Sequence, residues 1–377
     1  MDKSLEEVSK EKALIVGLAS HPKNRWKEAD RLEELALLAK TAGAEVFEKI
    51  LQIKGKPDPT TYIGKGKAEE VREIAKEYKL DLVIFDTELS PSQVRNLEKI
   101  IGCKVVDRTE LVMDIFAQHA RTGEAKIQVE LAQLLYRLSR LTGRGVSLSR
   151  LGGGIGTRGP GEKKLEVDRR RILERIAFLR KRLDDIERTK ELQRKKRKDL
   201  FKISIVGYTN TGKSSIMNVL TKAGVVVEDQ LFATLDATTR ILYLEEFPYK
   251  VLLSDTVGFI EDIPPYLVAS FKATLGVVKE ADILLHVIDV THPRLHERIK
   301  IVENVLEEIS CGEKRKIRVF NKIDLLLESS IIERLREKYS ESVFVSARTK
   351  EGIEDLKRKL KEMLLEKIAE TQTTSFK

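Results

Sequence analysis

Residues Gly207, Tyr208, Thr209, Asn210, Thr211, Gly212, Lys213 and Ser214 read G-x-x-x-x-G-K-S, and no other stretch restricts the fold of this chain as strongly. An apolar run containing Ile203, Ile205 and Val206 precedes them, and a helix-forming run continues to Leu220. A phosphate-binding loop requires that strand–loop–helix order. Its glycines let backbone N–H groups wrap around phosphate oxygens at the positive end of a helix. Lys213 then reaches the β- and γ-phosphates, and Ser214 ligates Mg2+. The loop alone does not separate ATP from GTP, so the base has to be read downstream.

The downstream residues supply that reading. The polar run 231–240 holds Phe232, Ala233, Thr234, Leu235 and Asp236, where a segment sensing the γ-phosphate belongs. Thr234 is the candidate second Mg2+ ligand, with Thr238 and Thr239 as rivals. Strands are expected over 241–247 and 249–254, joined at Pro248. The second ends in Asp255, Thr256, Val257 and Gly258, with Asp255 placed for the Mg2+ shell and the Gly258 N–H for the γ-phosphate. Further strands at 282–290 and 316–320 follow, and the latter runs into Asn321, Lys322, Ile323 and Asp324. A carboxylate at Asp324 accepts from both N1–H and the 2-amino group of guanine, a donor pair that adenine lacks. A strand at 342–345 leads to Ser346, Ala347 and Arg348, whose backbone N–H groups can read guanine O6. Five such elements in order, each at the C-terminal end of a strand, describe a Ras-like GTP-binding domain over 199–368, followed by a short tail at 369–377. Many GTPases carry a water-orienting glutamine after the Asp–Gly motif; here the residue is Phe259. Phenylalanine cannot orient water, so no catalytic residue is assigned, and slow hydrolysis is expected until a partner rearranges the site.

Ahead of that domain, strands at 13–18, 44–53, 82–85 and 104–106 alternate with helices at 26–42, 67–78 and 90–101, the pattern of a parallel α/β domain within 1–108. Its run TTYIGKGK from Thr60 to Lys67 is either an anion site at a helix start or a plain strand-to-helix connection. No catalytic constellation stands out there. Cys103 and Cys311 lack partners at metal-ligand spacing and read as reduced packing thiols. His292 and His296 are four apart without a third ligand, so they read as loop and helix-start residues. No apolar leader follows Met1 and no run approaches the roughly 18–20 apolar residues of a membrane span, which favours a cytoplasmic protein with no integral membrane contact.

Residues 109–198 carry two helical stripes. Ile127, Leu131, Leu134, Leu138 and Leu141 step alternately by four and three, as do Ile172, Ile176, Leu179, Leu183 and Ile186. Such seams suit an antiparallel helical hairpin. Its tip, 142–162, contains eight glycines in 21 residues, interleaved with Arg144, Arg150 and Arg158. Backbone at Gly153 and Gly154 can approach another surface closely, and the arginines can bind phosphate or stack on bases. The net charge is +9, and residues 162–202 alone hold 17 Lys and Arg against 9 Asp and Glu. Nearly the whole excess therefore lies in one element, which favours a polyanion such as RNA over a merely solvated face.

With these residues laid out, the chain resembles the HflX family of translational GTPases along almost its whole length. The resemblance rests on YIGKGK from Tyr62, QVELAQL from Gln128, GGGIGTRGPGE from Gly152, FATLD from Phe232 and DTVGF from Asp255. It implies an N-terminal α/β domain with a helical hairpin, followed by a Ras-like GTPase domain. It also implies binding to the large ribosomal subunit with the hairpin tip near the peptidyl-transferase centre, subunit separation under stress, and Mg2+ ligation by Thr234; a monomer is expected. Some relatives carry a further C-terminal domain, and ATP use is known for the family's N-terminal domain, although residues 1–110 display no site for it. Two other readings stay open: a GTPase switch in RNA processing, modification or ribosome assembly, and a switch whose basic hairpin binds an acidic protein or membrane face.

Overall fold

The structure, a computed structural model, describes residues 10–148, 160–195, 200–221, 232, 238–262, 276–328, 330–339 and 341–375. Its Cα packing divides the chain into two units, residues 1–118 with 129–180, and residues 119–128 with 181–377.

In the first unit, β1 (Lys12–Ala19), β2 (Glu45–Ile53), β3 (Leu82–Phe85) and β4 (Lys104–Asp107) form a parallel sheet in the order β2-β1-β3-β4. β1 is buried from Ala13 to Gly17, the continuous apolar run expected of a strand covered on both faces. The crossovers are α1 (Arg25–Thr41), α2 (Lys65–Glu77) and α3 (Pro91–Ile101). α3 is delimited at both ends by its own sequence. Ser90 and Gln93 make a reciprocal capping box, and Gly102 leaves the helix at φ 87°, a left-handed conformation that glycine adopts at little cost. Leu14, Val16, Val83 and Phe85 of the sheet pack with Val71 and Leu97 of the helices.

Helix α4 (Arg108–His119) lies outside the two helical stripes; Leu111, Val112, Ile115 and Phe116 are buried at helical i, i+4 spacing, but the run is too short to repeat as a heptad seam. α5 (Gly123–Leu148) and α6 (Pro160–Lys195) follow. Gly143 and Gly145 lie within α5, so the expected tip at 142 starts too early. A glycine costs a helix only about 1 kcal/mol relative to alanine, which a 26-residue helix tolerates. The rest of the expected tip, including Arg150, Gly153, Gly154 and Arg158, lies outside the described residues. Ile176 and Leu179 of the second stripe are buried while Arg169, Arg170, Arg171, Arg180 and Arg182 are exposed. The Arg175 guanidinium forks onto Glu130 of α5, at 2.7 and 3.0 Å.

The second unit holds β5 (Leu200–Gly207), α7 (Lys213–Thr221), β6 (Thr238–Leu242), β7 (Lys250–Asp255), α8 (Gly276–Glu280), β8 (Ile283–Asp289), α9 (Leu295–Glu308), β9 (Lys316–Asn321), α10 (Ser330–Lys338), β10 (Ser342–Phe344) and α11 (Ile353–Ser375). The sheet order is β10-β9-β8-β5-β7-β6, parallel except for β6. Two expectations are corrected. β6 spans 238–242 rather than 241–247, because Phe247 turns back on Leu244 and stacks edge-on with Phe201 and Tyr249 instead of joining the ladder. The expected tail at 369–377 is helical as far as Ser375, where Glu366 and Glu370 of α11 pair with Arg315.

Candidate nucleotide site

The loop between β5 and α7 is shaped by positions that admit no side chain. A Cβ on Gly207 would lie 2.3 Å from the Val287 carbonyl oxygen. Gly212 has φ +88°, and a Cβ there would meet Asn321 Nδ2 at 2.3 Å. Lys213 is buried and donates to the Tyr208 carbonyl at 2.7 Å, as does the Thr211 hydroxyl at 3.0 Å. Burial lowers the Lys213 ammonium to about 8 against the pull of Asp255, and anionic oxygens beside it would raise it again. The Thr209 hydroxyl is buried without a hydrogen-bond partner among the described residues.

The Asp–Gly motif lies along this loop. The Ser214 hydroxyl donates to Asp255 Oδ2 at 2.6 Å, which brings together two groups suited to a hydrated divalent cation. Thr256 is buried with its hydroxyl on the Ile205 carbonyl at 2.7 Å, and Val257 is half-buried. Phe259, read from sequence only as a missing glutamine, has a second property. Its N–H donates to Gly207 at 3.0 Å and its carbonyl accepts from Thr209 N–H at 2.8 Å, while its ring is buried. Gly258 is thereby pressed on the loop, where a Cβ would lie 2.9 Å from Lys213 Nζ and 2.7 Å from Thr209 Cγ2.

At the other end, Asn321 joins three of the expected elements. Its Nδ2 donates to the Thr211 carbonyl at 2.9 Å and its Oδ1 accepts from Ala347 N–H at 3.0 Å. Lys322, at φ 71°, donates to the Asn210 carbonyl at 2.9 Å and to Asp289 at 2.6 Å. Asp289 was not singled out in sequence, although it closes an expected strand. Burial opposes its ionisation, but Lys322 and the hydroxyl and N–H of Thr291 hold its carboxyl below the ordinary range. Ile323 and Asp324 form a half-buried 3-10 turn beside Val345. The expected O6-reading amides are partly committed elsewhere: Ser346 N–H donates to Glu351 and Ala347 N–H to Asn321, while the Arg348 side chain is exposed.

Phe232 is buried at φ 61°, whereas Ala233, Thr234, Leu235 and Asp236 lie outside the described residues. The rival ligands Thr238 and Thr239 are paired in β6, with the Thr239 hydroxyl 2.8 Å from that of Ser254. The His292 ring accepts from Arg294 N–H, and His296 contacts the Tyr339 hydroxyl. Cys103 and Cys311 are free thiols. The 60–67 turn satisfies itself, with Asp58 accepting from Thr60 and Thr61 N–H and Gly64 opening α2 at φ 86°, as a plain connection would. No helix among the described residues is long and apolar enough to cross a membrane.

Comparison with known proteins agrees with this geometry. Family models described as GTP-binding GTPase N-terminal, GTP-binding GTPase Middle Region and 50S ribosome-binding GTPase match residues 29–117, 119–197 and 202–322. A protein named GTPase HflX from Caldanaerobacter subterraneus subsp. tengcongensis is 48% identical over 369 residues, 97% of this chain and 83% of the relative. One of the same name from Escherichia coli K12 is 44% identical, covering 91% of this chain and 81% of the relative. Among solved structures, a GTP-binding protein from the archaeon Sulfolobus solfataricus in complex with GDP is 25% identical with a TM-score of 0.50, covering 95% of this chain and 99% of that one.

Proposed function

This chain belongs to the HflX family of GTPases and is a P-loop GTP hydrolase, and from that premise we propose that it is a switch acting on the large ribosomal subunit. In this reading residues 207–214 cradle the phosphates, Asp324 selects guanine, and Lys322 lies along the base. The observation that carries it is Asn321, whose side chain fastens the phosphate loop to the Ser346–Arg348 loop and so holds phosphate- and base-binding elements in one register. Mg2+ fits Ser214, with Asp255 accepting from the serine hydroxyl and Thr234 as the second protein ligand; the ion would neutralise phosphate charge. Gly258 N–H meets the γ-phosphate, and no described side chain replaces the missing glutamine at Phe259. Basal turnover is therefore slow, and the partner supplies the rearrangement.

The N-terminal α/β domain and the helical hairpin are the proposed ribosome-binding part. The exposed arginine rows of α6 support that assignment, while the 50S ribosome-binding description belongs to the family model matched by residues 202–322. Arg144, Arg150, Gly153, Gly154 and Arg158 are the proposed ribosomal-RNA contacts. GTP binding orders the switches, hairpin insertion separates stalled subunits in the cytoplasm, and hydrolysis releases a monomeric factor. The test is GTP turnover with and without purified large subunits at two salt concentrations. Strong stimulation that weakens with salt supports the proposal; absence of both stimulation and co-sedimentation removes the ribosome and leaves a GTPase acting elsewhere.

A further inference from the structure

A buried arginine outside every nucleotide motif is wired to the segment that meets the γ-phosphate. Arg294, in the connection between β8 and α9, is 5% exposed. Its Nη2 donates to Glu261 at 2.8 Å and to Glu297 at 2.8 Å, and its Nε donates to Glu297 at 2.9 Å. Glu261 lies three residues past Gly258, and its own N–H donates to the Tyr208 hydroxyl at 2.8 Å. Tyr208 is the first variable residue of the phosphate loop, and its ring lies 4.3 Å beneath the Arg298 guanidinium. With the two backbone bonds of Phe259, residues 258–261 are thus tied to the loop at both ends of a short segment.

We infer that Arg294 is a positioning residue for γ-phosphate recognition: through Glu261 it holds residues 258–261 against Tyr208, and so sets where the Gly258 N–H points. This rests on the nucleotide site described above. Removing a charge from water is costly, so a buried arginine paired with two carboxylates adds little net stability while fixing the register of the segments it joins. In the proposed nucleotide site the Gly258 N–H meets the third phosphate alone, so loss of its placement discriminates between nucleotides. A ligand shifts an arrangement only by its differential affinity, and GDP has no group there to contribute. The competing account, in which Arg294 merely caps the first turn of α9 through Glu297, predicts no such discrimination.

The experiment measures dissociation constants of the full-length protein for GDP and for the slowly hydrolysed GTPγS, with thermal melting as the folding control. The variants are Glu261→Gln, Arg294→Gln and the double variant. Each single change should weaken GTPγS about tenfold, the equivalent of one lost interaction. GDP should stay within about twofold, and the double variant should be no worse than either single, since the two residues act through one contact. If Arg294→Gln does not fold, Glu261→Gln decides alone, because its carboxylate is partly exposed. Equal weakening of both nucleotides, or none in Glu261→Gln, overturns the inference while leaving the site intact. Failure of the unaltered protein to bind GDP overturns the site and the inference together.

Discussion

Gly212 illustrates how much a single missing side chain can carry. Gly212→Ala places a methyl group within reach of Asn321 Nδ2 and forces a left-handed backbone on an L-residue. GDP affinity should fall at least tenfold, because the group displaced is the one that links the proposed phosphate and base elements; titration with a fluorescent GDP analogue checks it. His286 makes a different kind of prediction. It sits on the central strand β8, fully buried, its Nδ1 lacking a hydrogen-bond partner among the described residues. Burial first, then Arg318, Lys316 and Lys213, push its imidazole from 6.5 down to about 3. The unfolded chain therefore takes up a proton below pH 6.5 that the folded chain refuses, and stability falls with pH between 6.5 and about 3. At pH 5 the loss from this one group is about 2 kcal/mol. Denaturant melts at pH 7 and 5 should show His286→Leu losing less stability on acidification than the unaltered protein. The sequence named Gly212 because its motif is local; it gave no reason to name His286, since burial of a polar ring depends on strand order.

At the level of elements, the strands other than β6 were legible from short stretches of apolar or alternating residues bounded by turn chemistry, and Ser90 with Gly102 bounds a helix as written. What escaped was set by contacts distant in sequence. α4 has an apolar face that follows neither heptad stripe, and the end of β6 depends on where the rings of Phe201, Phe247 and Tyr249 meet. The attachment of α5 is another such contact. Asp107, fully buried at the end of β4, accepts from the Tyr136 hydroxyl at 3.0 and 2.9 Å and pairs with Arg140. Tyr136→Phe should therefore destabilise the protein by about 1.5–3 kcal/mol, the range for a hydrogen bond to a charged group. Equilibrium unfolding in urea measures it, and GDP affinity, set by other residues, should not move.

For the molecule as a whole, charge and nucleotide chemistry are written in different stretches of chain. The proposed guanine and phosphate elements fall within 207–348, whereas the excess positive charge is concentrated in 162–202, between the glycine-rich run and the phosphate loop. Deletion of residues 152–161 should consequently leave GDP affinity unchanged, because no residue of the nucleotide motifs is removed. Under the proposed function it should abolish stimulation of GTP turnover by large ribosomal subunits. The salt response then separates the two contributions to ribosome contact. Binding that rests on arginines neutralising phosphates weakens steeply as salt displaces the benefit of counterion release, with a slope set by the number of contacts. If the exposed rows on α6 provide most of them, the deletion variant keeps a salt-sensitive association with the subunit while losing turnover stimulation. If Arg158, the one tip arginine that the deletion removes, provides the decisive contact, association and stimulation disappear together. Co-sedimentation of both proteins with large subunits across a salt series, read beside turnover, decides between those outcomes; stimulation that survives the deletion unchanged would take the tip out of the mechanism.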